Sequence, residues 1–148
     1  ISGILRLQSG SYFTATSGTS TALTGSQDAN RAHQVLPDPY AQNKGIDLWL
    51  NPAAFATPAP GEWGNAANSL QGPGTISINM GLTRTFQVRE NHSVEFRAEA
   101  FNLPNRTNFV IPNNVMLTPS GATASSAGVI TKTAVKSRQI QFGMKLTF

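Results

Sequence analysis

The longest unbroken pattern in the chain is an alternation of apolar and polar residues from Thr75 to Arg89. Even positions carry Ile76, Ile78, Met80, Leu82, Arg84, Phe86 and Val88, and odd positions carry Thr75, Ser77, Asn79, Gly81, Thr83, Thr85, Gln87 and Arg89. A period of two marks a strand with unlike faces. The run covers 15 residues, against about 5–6 in a typical strand. A ribbon this long has to find a non-aqueous neighbour for its apolar side, and that requirement narrows the folds open to the chain.

The alternation resumes after Glu90-Asn91-His92. Val94, Phe96, Ala98 and Ala100 share one face, and Glu95, Arg97 and Glu99 share the other. Near the end, Arg138, Ile140, Phe142, Met144, Leu146 and Phe148 alternate with Gln139, Gln141, Gly143, Lys145 and Thr147. A weaker repeat over residues 1–15 sets Leu5, Leu7 and Phe13 against Arg6, Gln8 and Tyr12. The expected fold is all-β, an antiparallel meander of about four long amphipathic strands. They are placed at 1–15, 75–89, 93–103 and 129–148. The Ser-, Thr-, Asn-, Gly- and Pro-rich stretches 16–74 and 104–128 read as loops, with local pairing expected over Asp47–Phe55.

At 148 residues there is room for one ordinary domain. Eleven Lys and Arg against seven Asp and Glu give +4, thinly spread and without a basic run, so no nucleic acid partner is expected. Cysteine is absent, which excludes disulfides, thiolate metal sites and cysteine nucleophiles. The two histidines, His33 and His92, are far apart and lack ligand-like spacing. No cofactor or metal is implied. Without a nucleophile–base pair or a phosphate loop, enzymatic activity is not expected. No apolar run approaches the roughly 18 residues of a spanning helix. The chain opens at Ile1 with neither an initiator Met nor a signal peptide, which fits a trimmed leader or a piece of something longer.

Outer-membrane strands need about 9–11 residues to cross when tilted about 45°, and the expected strands are long enough. Long structureless loops are unusual in a compact domain but normal in outer-membrane barrels, whose periplasmic turns are short and extracellular loops long. A soluble sheet also alternates; the content of the polar face favours the barrel. Glu95, Arg97, Glu99, Gln139 and Lys145 are assigned to a wet lumen. Ile76, Ile78, Met80, Leu82, Val94, Phe96, Ile140, Phe142 and Met144 are assigned to lipid or to sheet packing. Arg84 and Arg138 fall on the greasy parity. Each is expected at a rim, where a charge costs about 0–1 kcal/mol instead of about 2–4 at the midplane. With the 90–92 turn periplasmic, the last strand runs inward and leaves Phe148 at that end.

Gln141, Gly143, Leu146 and Phe148 match the spacing polar, Gly, hydrophobic, aromatic over the last eight residues. This resembles the C-terminal signal read by the barrel-assembly machinery. Further stretches are Gln8–Thr14, Trp49–Phe55, Asn68–Gly74, Phe96–Asn102, Asn108-Phe109 and Arg138–Gly143. In order and spacing they are similar to the end of a TonB-dependent outer-membrane receptor. The type in question has an N-terminal carboxypeptidase-regulatory-like domain and is abundant in acidobacteria. The resemblance implies a plugged barrel of about 22 strands that takes up bulky nutrients with energy from an inner-membrane complex. The plug, the coupling segment and most strands have no counterpart here. Four strands do not close, since the smallest such barrels have about eight, so the chain by itself is not a transporter.

Trp49, Phe55 and Trp63 are candidates for holding a carbohydrate or another flat ligand, although packing at the barrel mouth is the commoner use of such aromatics. Glu95 and Glu99 offer two carboxylates on one strand face, the raw material of acid–base chemistry, but wet-facing strands carry these routinely. Asn91-His92-Ser93 and Asn105-Arg106-Thr107 match a glycosylation pattern of little weight in a bacterium. Asp28 and Asp38 lack the spaced partners of a calcium site.

Two functional readings follow. In the first, the chain is the C-terminal barrel segment of a receptor in the bacterial outer membrane, partnered by lipid and the remainder of the barrel, with loops 16–74 and 104–128 contributing to substrate capture. In the alternative, a cleaved fragment pairs through its open edges and packs sheet on sheet. Its partners are then further copies of itself, in a structural oligomer, tube or extracellular filament.

Overall fold

The computed structural model describes residues 1–23, 25 and 30–148. In chain order its strands are β1 Ser2–Gln8, β2 Tyr12–Phe13, β3 His33–Gln34, β4 Phe55–Ala56, β5 Leu70–Gln71, β6 Thr75–Arg89, β7 His92–Phe101 and β8 Gln139–Thr147. The described residues contain no α-helix, only a 3₁₀ turn at Pro52–Ala54. The chain divides into two compact units, residues 1–9, 74–109 and 133–148 in one and residues 10–73 and 110–132 in the other.

The first unit is a four-stranded sheet in the order β1-β6-β7-β8, antiparallel throughout. Ser2 lies opposite Gly81 and Gln8 opposite Thr75. On the other side of β6, Met80 faces Ala100 and Phe86 faces Val94. The β6–β7 turn is tight, with Arg89 opposite His92 and a register shift between Gln87 and Arg89. Gln87 Nε2 closes this turn by donating to the carbonyls of Arg89, at 2.9 Å, and Glu90, at 3.2 Å.

Three strand limits differ from those read in the sequence. β1 stops at Gln8 and does not run to residue 15, because its partner β6 begins at Thr75, opposite Gln8. The chain then enters the second unit, where Gly10 passes so near the Gly72 carbonyl that a Cβ would collide with it. β7 ends at Phe101 because Asn102 takes a left-handed φ of 50° and breaks the pleat. β8 begins at Gln139 and not near 129. Val129 and Ile130 bond within the second unit instead, Val129 accepting from Asn113 N at 2.8 Å and Ile130 N donating to Ile46 O at 2.7 Å.

The expectation of long structureless loops is also corrected. Every buried hydrophobic side chain among the described residues lies in the second unit, with Leu50, Leu70 and Met116 essentially inaccessible and Phe13, Phe55 and Leu117 packed beside them. β2 pairs with β5, β3 pairs with β4, and Tyr40 bridges Leu50, so Asp47–Phe55 does pair locally. Residues nearly 100 apart are stitched together: Thr16 N donates to Asn114 O, Met116 N to Thr16 O and Asn114 Nδ2 to Thr14 O, each at 2.8 Å. Such pairings satisfy the backbone groups that an ordered segment without regular structure would otherwise strand. Gly128, at φ 73°, lies against the Leu50 backbone, where a Cβ would sit 2.9 Å from the carbonyl oxygen.

Candidate functional site

Register sorts the sheet's side chains into two unlike faces. On one, Leu7 faces Ile76 and Leu5 faces Ile78. Beyond them run the rows Met80–Ala100–Ile140, Leu82–Ala98–Phe142, Arg84–Phe96–Met144 and Phe86–Val94–Leu146. All nine residues assigned in the sequence to lipid or sheet packing share this face. Within the chain it stays bare: Leu5 is 62 % exposed, Phe142 71 % and Met144 70 %. Cross-strand apolar pairs such as Phe96–Phe142, with ring centroids 6.0 Å apart, stiffen the sheet without covering it.

The opposite face carries the rows Thr85–Glu95–Lys145, Thr83–Arg97–Gly143 and Gly81–Glu99–Gln141, and the pair Phe101–Gln139. It therefore holds all five residues assigned to a lumen, with two apolar intruders, Ile4 opposite Asn79 and Phe101 opposite Gln139. Arg97 Nη2 lies 3.2 Å from Glu95 Oε1 and Nη1 lies 4.0 Å from Glu99 Oε1. Gln141 Nε2 donates to Glu99 Oε2. Arg97 is exposed and the two glutamates partly so, and each ion pair contributes about 0–1 kcal/mol; their effect is a wettable face of alternating sign. Both carboxylates are taken up by the Arg97 guanidinium between them, and that of Glu99 also by Gln141, a structural use of the pair.

At the end of the sheet away from the tight turn, an asparagine knot that the sequence reading missed ties the strands together. Asn108, 1 % exposed, accepts from Ile76 N at 2.8 Å and donates through Nδ2 to Ile76 O at 2.9 Å. Asn102, 2 % exposed, donates through Nδ2 to the carbonyls of Arg106 at 3.0 Å and Lys136 at 3.1 Å, and accepts from Arg106 N at 3.1 Å. Its own N–H donates to Asn79 Oδ1 at 3.0 Å. Asn105 Oδ1 accepts from Arg138 N at 2.9 Å. The available signal was three asparagines spaced by three, at 102, 105 and 108, around Pro104.

Gln141 and Gly143 lie on the polar face of β8 and Leu146 on the apolar one, with Phe148 just past the strand. Arg84 sits on the apolar face with its guanidinium 5.3 Å from the Phe86 ring centre, and Arg138 Nη1 donates to Leu103 O at 3.4 Å. Of the loop aromatics, Phe55 is buried and Trp49 is half-buried with Nε1 donating to Gln71 O at 3.2 Å. Trp63 alone is open, stacked under Arg31 at 5.2 Å. Asp38 Oδ1 accepts from Tyr40 N in a turn, and Asp28 lies outside the described residues. Among the described residues no three His, Asp or Glu side chains gather as a metal site.

A sheet with one bare apolar face, one charged face, a tight turn at one end and elaborate connections at the other is the wall of a membrane β-barrel. The chain belongs to the outer membrane beta barrel domain family, whose sequence model matches residues 1–141. No curated protein and no solved structure matches it. The chain is thus a barrel segment of an outer-membrane protein, and the outer membrane is its place.

Proposed function

We propose that the chain is a wall segment of a TonB-dependent outer-membrane receptor, its apolar face against lipid and its charged face toward the lumen. Segments 10–73 and 110–132, which join strands at the long-loop end, contribute to substrate capture. The observation that carries this reading is the register. It keeps apolar and polar rows on opposite faces across β6, β7 and β8, as a barrel between oil and water requires. The resemblance of Phe96–Asn102 and Arg138–Gly143 to receptor ends supports the choice of receptor over other barrels.

The natural absence of cysteine makes a labelling test clean. Single cysteines at Met80, Phe142 and Ala98 should react in isolated outer membranes with a lipid-soluble maleimide, and those at Glu95, Arg97 and Lys145 with a charged, water-soluble one. Loss of this alternation refutes the face assignment. Energy coupling is read separately. In a receptor, labelling at Glu95→Cys in living cells should change when the inner-membrane energising complex is deleted. Indifference to that deletion removes the TonB-dependent part and leaves a barrel segment.

A second reading rests on the sheet's open edges. Among the described residues, the outer edges of β1 and β8 have no strand partner. Copies pairing there would build a structural oligomer, tube or extracellular filament. Imaging of native particles separates closed barrels in membrane from an extended homopolymer.

A further inference from the structure

From residue 100 to the end the chain holds five Lys or Arg and no Asp or Glu. Three of these cations, Arg106, Lys136 and Arg138, gather at the long-loop end of the sheet. Their backbones are held by the knot: Asn102 Nδ2 bonds the carbonyls of Arg106 and Lys136, and Asn105 Oδ1 accepts from Arg138 N. A cavity of about 340 Å³ is lined by two of them, Arg106 and Lys136, and by the hydroxyl-bearing Thr107, Thr133 and Ser137.

Arg138 carries this charge to the apolar side. It has the parity of Ile140, and its Nη1 reaches the carbonyl of Leu103. Leu103 and Ile140 also line a groove of about 320 Å³ on the apolar face, floored by Ala98 and Ala100 and walled by Met80 and Leu82. Glu99, the one acidic residue in its lining, has its carboxylate on the other face, where Gln141 donates to it. The Arg138 guanidinium is thus bonded to a residue that lines the oily groove, with two further cations close by in the chain.

We propose that the groove and the cations at its end form a site for a phosphate-bearing lipid. An acyl chain lies over Ala98 and Ala100, the phosphate meets Arg138, and Arg106 and Lys136 complete the countercharge. The guanidinium fork suits a phosphate, and a long side chain rooted in apolar surface holds its charge at headgroup level. Basic residues beside membrane-facing surface attract anionic headgroups in just this way. A free phosphate would meet only exposed, salt-screened cations, whereas a lipid also fills the groove. The proposal rests on the reading that the apolar face meets lipid.

The test uses the protein in detergent, titrated with dimyristoyl phosphatidic acid or dimyristoyl phosphatidylcholine, with retained lipid counted by native mass spectrometry. Phosphatidic acid should be held about tenfold more tightly, the scale of one charge-assisted contact. Arg138→Gln should erase that preference, Arg138→Lys should keep part of it, and Ala100→Phe should weaken both lipids together. Equal retention of the two lipids by the unmodified protein overturns the proposal. So does displacement of phosphatidic acid by millimolar inorganic phosphate with no effect of Ala100→Phe, which identifies a soluble-anion site. Lipid-soluble maleimide labelling of Ala98→Cys separates the two levels. If that cysteine is not in lipid the face assignment falls, and if it is in lipid but no headgroup preference exists only this site falls.

Discussion

Asn108 uses its amide as a one-residue strand partner: it accepts from Ile76 N and donates to Ile76 O. Replacing it by Ala leaves both backbone groups of Ile76 without that partner at an almost inaccessible position. Each such orphan costs about 1–3 kcal/mol, so Asn108→Ala should destabilise the sheet by about 2–6 kcal/mol, read as a lower urea midpoint in lipid vesicles. Asn108→Asp should be worse, since it keeps the acceptor, loses the donor and buries a charge. Arg84 stands on the apolar face five residues before the turn, with its guanidinium over the Phe86 ring. That contact contributes about 0.5–1 kcal/mol, which offsets the roughly 0–1 kcal/mol cost of a charge at the rim. Arg84→Met should therefore leave stability within about 1 kcal/mol of the parent. A gain of about 2 kcal/mol or more in the same vesicles would place Arg84 well inside the bilayer and refute the rim reading.

Among the elements, β8 shows how folded stability and assembly can pull apart. Gly143 faces Arg97 across the β7–β8 ladder with room to spare, a Cβ meeting nothing nearer than Arg97 Cβ at 3.9 Å. A glycine inside a strand costs about 0.5–1 kcal/mol relative to alanine, so Gly143→Ala should raise the unfolding midpoint by that amount. If Gln141, Gly143, Leu146 and Phe148 act as an assembly signal, the same variant should reach the outer membrane in smaller quantity; equal quantity counts against the signal. The elements also show what was readable in the sequence. β6 was legible over its full length because its alternation is undiluted, and the faces of β7 and β8 followed from parity alone. The ends of β1 and the start of β8 were not, because Phe13, Ala15 and Ile130 look like more strand while being buried in a unit assembled from positions up to 100 apart. Its core has no period to detect. The knot stayed hidden for a related reason: asparagines near a proline read as turn formers, and only register sets them against Ile76 and Asn79.

At the scale of the molecule, burial and bare apolar surface are divided between the units. Among the described residues the second unit holds the buried hydrophobic side chains, and the sheet of the first unit leaves an apolar side chain bare in each row of its apolar face. A soluble monomer seldom exposes a contiguous apolar patch beyond a few hundred Å², and four strands fall short of the roughly eight needed to close. In the proposed reading the sheet is completed from outside the chain, by lipid on one face and by strands at its edges. In detergent-free buffer the isolated chain should accordingly elute from a sizing column far above its 15.7 kDa mass, and detergent should shift it toward smaller species by covering the apolar face. A sharp monomer peak without detergent would mean that the bare face finds cover within the chain, and the barrel-wall argument would fail with it. If detergent instead leaves long assemblies intact, strand pairing at the edges of β1 and β8 dominates over apolar burial, as the homopolymer reading requires. Dispersal to small species points instead to a wall segment whose partners are the rest of a barrel.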